Sequence, residues 1–254
     1  MGHIRLGELP KTRRWSHVVR LMNDPDVDVG VVARAVVAAA EKAYRSAGED
    51  PGVVESLRVM AFLADASRRE DFAEALRGYG FTVTGNEDAI GLLGNVLREA
   101  ENRFGPTSQR TIFTEFALGA LQESLTRTVA SQTGSLFLSG LDDARQAYRS
   151  FSTERGFAQL AHLFFARLLS RSLRYFTDHE AANLLGGDGR LRSEAELQSF
   201  AEGVDRYAFE AARIVEDFAG GWYSKRQWLG GLDRTEGVAA VAMRKIADEL
   251  MRAT

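Results

Sequence analysis

The residues of this chain that can do acid–base, nucleophilic or metal chemistry are few. Cysteine is absent, which removes thiolate nucleophiles, thiolate metal sites and disulfides together. The histidines are His3, His17, His162 and His179. A zinc-protease pattern needs His-Glu-x-x-His, but His179-Glu180 is followed by Ala181, Ala182 and Asn183, so the second ligand is missing. His162 and His179 fall on one predicted helix, roughly 25 Å apart along its axis and too far to share a metal. Both lie near the face of Phe165, Leu168, Leu169 and Phe176, where a hydrogen-bonded, partly buried histidine is the structural alternative to catalysis. The run Asp178-His179-Glu180 could take and return a proton, yet it has no identifiable second half. No metal and no cofactor are expected.

Phosphate and nucleotide loops are also missing. The Lys-Thr pair Lys11-Thr12 lacks the glycine spacing of a phosphate loop, and Gly2 and Gly7 are followed by Glu8 instead of lysine. Gly187-Asp188-Gly189 resembles a dinucleotide turn, but Arg192 stands at the third glycine position and no strand precedes it. Asp24, Asp26 and Asp28 suggest a calcium loop. Its turn glycine falls on Val29 and its bidentate carboxylate on Ala35, so helix capping by Asp26 or Asp28 explains them better. No Gly-x-Ser-x-Gly elbow occurs.

Arginine and tryptophan carry what remains. The first 20 residues hold Arg5, Lys11, Arg13, Arg14 and Arg20 against Glu8, a segment of +4 in a chain of net −3. Trp15 follows the Arg13-Arg14 pair. This reads either as a basic-aromatic arm for an acidic partner or a phosphate backbone, or as an arm lying on its own domain with Trp15 in the core. Arg167, Arg171 and Arg174 project within about 60° of one another on a helical wheel, a candidate phosphate-binding stripe or a solvated face. Asp178 lies on the same side and can neutralise part of it. Gly220 to Gly231 brackets Trp222, Tyr223, Lys225, Arg226 and Trp228 between glycine pairs. The bracketing predicts a loop or short helical turn, and these residue types dominate interface energetics. The alternative is that Trp222 and Trp228 plug the end of a helix bundle.

The elements that must hold these residues are helical throughout. The prolines, at 10, 25, 51 and 106, interrupt no long periodic stretch. Asp50-Pro51, Ser67 with Glu70, Ser193 with Glu196, and Asp233 with Glu236 have the spacing of helix starts. Glycines near 78–80, 105, 186–187 and 220–221 supply stops. Helices are predicted at 12–22, 28–47, 51–66, 68–78, 86–103, 107–131, 141–150, 153–185, 194–219 and 234–252. Phe81–Thr84 and Ser135–Leu138 are weak strand candidates. The expected fold is all-α, one compact bundle over residues 1–254, with subdomains 1–104 and 105–254 as a further division. The 45% hydrophobic and 26% charged content is ordinary globular usage. No apolar run is long enough to span a bilayer and no secretory leader is evident, so a cytoplasmic protein without membrane contact is expected.

His3-Ile4-Arg5-Leu6-Gly7, Leu9-Pro10, Thr12-Arg13-Arg14-Trp15 and the late Trp222-Tyr223-Ser224-Lys225 resemble an uncharacterised bacterial protein family. That resemblance implies a bacterial source and a subunit encoded beside partner genes, as in antiviral defence systems; it brings no activity or ligand. The leading expectation is a non-catalytic protein-binding or scaffolding subunit. The alternatives are a nucleic-acid-binding accessory protein using the arm and the arginine stripe, and an enzyme built around Asp178, His179 and Glu180.

Overall fold

The computed structural model describes residues 12–85, 87–106, 110–133, 140–185 and 191–252. Among them the chain forms α-helices and no strand, as the sequence predicts. In order these are α1 (Arg13–Asn23), α2 (Val29–Ala39), α3 (Glu41–Ala47), α4 (Pro51–Ala66), α5 (Phe72–Gly78) and α6 (Ala89–Arg103). They continue with α7 (Ile112–Thr133), α8 (Leu141–Arg149), α9 (Glu154–Leu184), α10 (Glu194–Ala212), α11 (Glu216–Leu229) and α12 (Glu236–Arg252).

Side-chain caps set most of the starts. Asp28 accepts from Gly30 N–H at the head of α2, and Asp50 from Gly52 N–H ahead of Pro51 in α4. Asp88 and Thr153 do the same for α6 and α9. The Ser193–Glu196 pair forms a reciprocal capping box on α10. Each such cap satisfies an N–H that the first turn cannot bond internally.

Several predicted boundaries move. The stretch 28–47 breaks at Ala40, whose φ of −107° and ψ of 22° leave the helical region. The break redirects the chain, so that α2 packs on α1 and α10 while α3 packs on α12. Ser67 closes α4 instead of opening α5, its hydroxyl donating to the Ala64 carbonyl at 2.7 Å. Asp233 lies too far upstream to cap α12. Thr235 takes the cap position, and its hydroxyl donates to the Val54 carbonyl at 2.8 Å. Phe81–Thr84 is a connector without regular secondary structure, with Phe81 and Val83 buried; Ser135–Leu138 lies outside the described residues.

Helix α9 is the axis of the bundle. At about 1.5 Å per residue it runs roughly 46 Å, with α7, α10 and α11 along it and α1, α2 and α4 against its flanks. Phe157, Leu160, Phe164, Phe165, Leu168 and Leu173 are all buried. One hydrophobic cluster includes side chains from every helix, so residues before and after Phe104 share a core.

Candidate functional site

The expected loop at 220–231 is a helix. α11 runs through Gly220 and Gly221 without a break. Gly220 is there for contact: a side chain would collide with the Glu154 carbonyl oxygen in the first turn of α9. The helix stops at the second pair, where Gly230 and Gly231 have φ of 78° and 90°, the left-handed region that glycine enters without steric cost.

Along α11 the aromatic rings take three different environments. Tyr223 is fully buried and stacks on Phe157, centroids 4.4 Å apart. Burial pushes its phenol pKa well above the ordinary value. Trp222 is half-buried and tilted against the same Phe157 ring at 5.9 Å. Trp228 is 88% exposed, and Leu229 beside it is 66% exposed. Gln227 fixes the backbone under them. Its Nε2 donates to Asp65 Oδ1 at 3.0 Å and to the Tyr223 hydroxyl at 3.1 Å, while its Oε1 accepts from Arg68 at 3.0 Å. Lys225 is exposed and Arg226 half-buried on the same end of the helix.

The N-terminal tryptophan behaves in the opposite way. Trp15 is 6% exposed, its ring lies 6.0 Å from Phe176, and its indole N–H donates to Glu180 Oε1 at 2.9 Å. It is a core residue. Arg13 is exposed beside it. Arg14 turns onto the protein, donating to the Ala38 carbonyl at 3.0 Å and lying 3.7 Å from Glu41. Arg5 lies outside the described residues.

Asp178, His179 and Glu180 do not converge. Successive helix residues point about 100° apart, and each has its own surroundings. Glu180 holds Trp15, His179 Nδ1 lies 2.9 Å from the Tyr175 carbonyl of its own helix, and Asp178 lies 3.7 Å from Arg174. Burial raises the Asp178 pKa, with the Arg174 charge opposing. His162 is 5% exposed and tied at both ring nitrogens, to the Phe209 carbonyl at 2.8 Å and to Glu216 at 2.5 Å. It joins α9 to α10 and α11 and has no ring nitrogen left open for a metal.

The stripe Arg167, Arg171 and Arg174 is not a fully solvated face. It lines a cleft of about 430 Å³ between α7, α9 and α10. Glu123 of α7 stands 3.1 Å from Arg167 Nε and 3.6 Å from Arg171 Nη2. Asp205 of α10 stands 3.7 Å from Arg174 and accepts from the Ser170 hydroxyl. Only Asp178 among these acids was visible from the sequence, through its i, i+4 spacing. Glu123 and Asp205 come from other helices and leave no local signal.

No family model, characterised relative or solved structure matches this chain. Among the described residues no group of three or more histidines and carboxylates is arranged to hold a metal ion, and no helix is long and apolar enough to cross a membrane.

Proposed function

We propose that this chain is a non-catalytic, protein-binding subunit of an intracellular bacterial assembly, and that the C-terminal end of α11 is its contact. The observation that carries the reading is the Trp228 side chain, 88% exposed on a backbone that Gln227 and Tyr223 hold in place. A tryptophan on a rigid support offers a large apolar area with little side-chain freedom to lose, which is why this residue type dominates binding hot spots. Leu229 extends the apolar area, and Lys225 and Arg226 at its rim suit an acidic face on the partner. The enzymatic alternative gains nothing from Asp178, His179 and Glu180, which point apart. The nucleic-acid alternative gains little from the arginine stripe, which shares its cleft with Glu123, Asp178 and Asp205.

The test compares tagged wild-type and Trp228→Ala chains purified from a native host, with the recovered partner then titrated calorimetrically against both. Trp228→Ala is expected to weaken that binding by about 2 kcal/mol or more and to leave the melting temperature nearly unaltered. Equal affinity for both chains would remove this end of α11 from the interface.

A further inference from the structure

The cleft between α7, α9 and α10 holds hydrogen-bonding capacity that the protein does not use. Arg167 Nε is buried and sits 3.1 Å from Glu123 Oε1, but off the line its N–H requires, so it makes no hydrogen bond. The nearest carboxylate oxygens to Arg171 and Arg174 are at 3.6 and 3.7 Å, beyond hydrogen-bonding distance. Two guanidinium groups thus share the single carboxylate of Glu123. Each guanidinium carries five N–H donors in a planar fork, and among the described residues none of the three donates a hydrogen bond to a protein acceptor. The heads of Arg171 and Arg174 can donate to water, but the Arg167 Nε is buried without a hydrogen-bond partner among the described residues, a condition that is uncommon and calls for a physical reason.

Helix α7 is shaped to admit one of these groups. A methyl on Gly119 would come 2.7 Å from Arg171 Cζ, so the absence of a side chain leaves the space that the guanidinium fills. Arg171 and Arg174 are each 44% exposed, so their heads are reachable from solvent. Beside them the half-buried Tyr175 ring lies 5.5 Å from Phe116, giving the cleft an aromatic wall.

We propose that this cleft binds the phosphate group of a small phosphorylated molecule, with Arg167, Arg171 and Arg174 as its ligands. The choice of phosphate follows from donor geometry. A tetrahedral oxyanion presents acceptors in several directions and can meet three forks arriving from successive helical turns, whereas a carboxylate is filled by one. A volume of about 430 Å³ exceeds what a bare ion needs and leaves room for an organic group against Tyr175 and Phe116. The carboxylates Glu123, Asp178 and Asp205 keep the field of the cleft from being strongly positive. That disfavours a long polyanionic strand, whose attachment depends on many uncompensated cations. A single phosphate answered on contact suits it better. This assignment stands independently of the partner contact on α11.

Calorimetric titration of the full chain with inorganic phosphate and with phenyl phosphate, at about 0.15 M salt, tests it. Saturable one-to-one binding tighter than about 1 mM is expected, with phenyl phosphate the tighter of the two. Arg171→Gln should weaken both by about tenfold or more. Gly119→Ala should do the same without altering any charge, because it displaces the Arg171 head. Arg226→Gln and Trp228→Ala, on α11, should leave phosphate binding unchanged, and melting temperatures close to wild type would show that the variants fold. Absence of saturable binding overturns the proposal, as does wild-type affinity retained in both Arg171→Gln and Gly119→Ala. Preferential binding of duplex DNA, lost in Arg171→Gln, also overturns it and returns the stripe to a nucleic-acid role.

Discussion

Trp15 and Trp228 are the same side chain in two helices, and their neighbours decide what each becomes. On α1 the residues one and two turns beyond Trp15 are Val18 and Met22, both buried, so the indole continues an apolar stripe into the core. On α11 the residues one and two turns before Trp228 are Lys225, Ser224 and Gly221, which give it no stripe to join. Trp15→Ala is therefore expected to cost about 3–5 kcal/mol of stability, against about 0.5 kcal/mol or less for Trp228→Ala; urea unfolding of the two variants checks the contrast. The sequence leaves both fates open, Trp15 between arm and core and Trp228 between interface anchor and bundle plug, the latter because 220–231 reads as a loop, to which helical spacing does not apply. The partner of the Trp15 indole was not legible either, because Glu180 lies on α9, far away in the chain. Glu87 gives a pH dependence at the same scale. Burial works against its charge, but hydrogen bonds from the backbone N–H groups of Thr84 (2.6 Å) and Gly85 (2.8 Å) bring its pKa from 4.5 down to about 2. A depressed carboxylate pKa contributes stability in full above the unfolded value, and that contribution disappears as pH falls through the folded one. Wild-type protein should lose stability between about pH 4.5 and pH 2, and Glu87→Gln should show a shallower loss over that window in urea titrations.

Two glycine pairs on or beside α11 look alike in sequence and act differently. Gly230-Gly231 ends the helix by taking positive φ, the role a glycine pair suggests. Gly220-Gly221 stays helical, and of the two only Gly220 touches α9 closely. Gly220→Ala should destabilise by about 1–3 kcal/mol, since overpacking against the Glu154 carbonyl outweighs the gain in helix propensity. Gly221→Ala meets nothing nearer than Glu154 Oε1 at 3.9 Å and should stabilise by about 0.5–1 kcal/mol. Opposite shifts in the two urea midpoints are the expected result. The same limit explains the other displaced boundaries. The Val- and Ala-rich stretch 29–39 runs toward Ala40 with no proline or glycine to mark the break; the turn there serves the docking of α3 on α12, a demand made by distant residues. The arginine stripe was legible because it repeats along one helix. Its cleft was not, since α7 and α10 supply Glu123, Gly119 and Asp205.

At the scale of the molecule, α9 packs against helices from both ends of the chain, and a single core unites them. Residues 1–104 contain α1, α2 and α4, which use α9 as a packing surface. A fragment of residues 1–104 is accordingly expected to lack cooperative unfolding, while the full chain should show one transition, coincident by circular dichroism and tryptophan fluorescence. Two separated transitions would instead support the division near residue 104. The all-α architecture was legible from periodicity and caps, both of which act within a few residues. The central position of α9 is set by which apolar faces meet, and spacing along the chain does not encode that directly.

The placement of α9 also sets a schedule for synthesis. Its residues, Glu154–Leu184, are translated only after more than half of the chain has been made. At about 5–20 residues per second, the nascent polypeptide spends seconds carrying α1, α2 and α4 before the α9 part of their cover exists. Ribosome-bound chains arrested ahead of Glu154 are accordingly expected to be cut by protease more readily than the full chain, which makes the emerging first half an expected client for holdase chaperones.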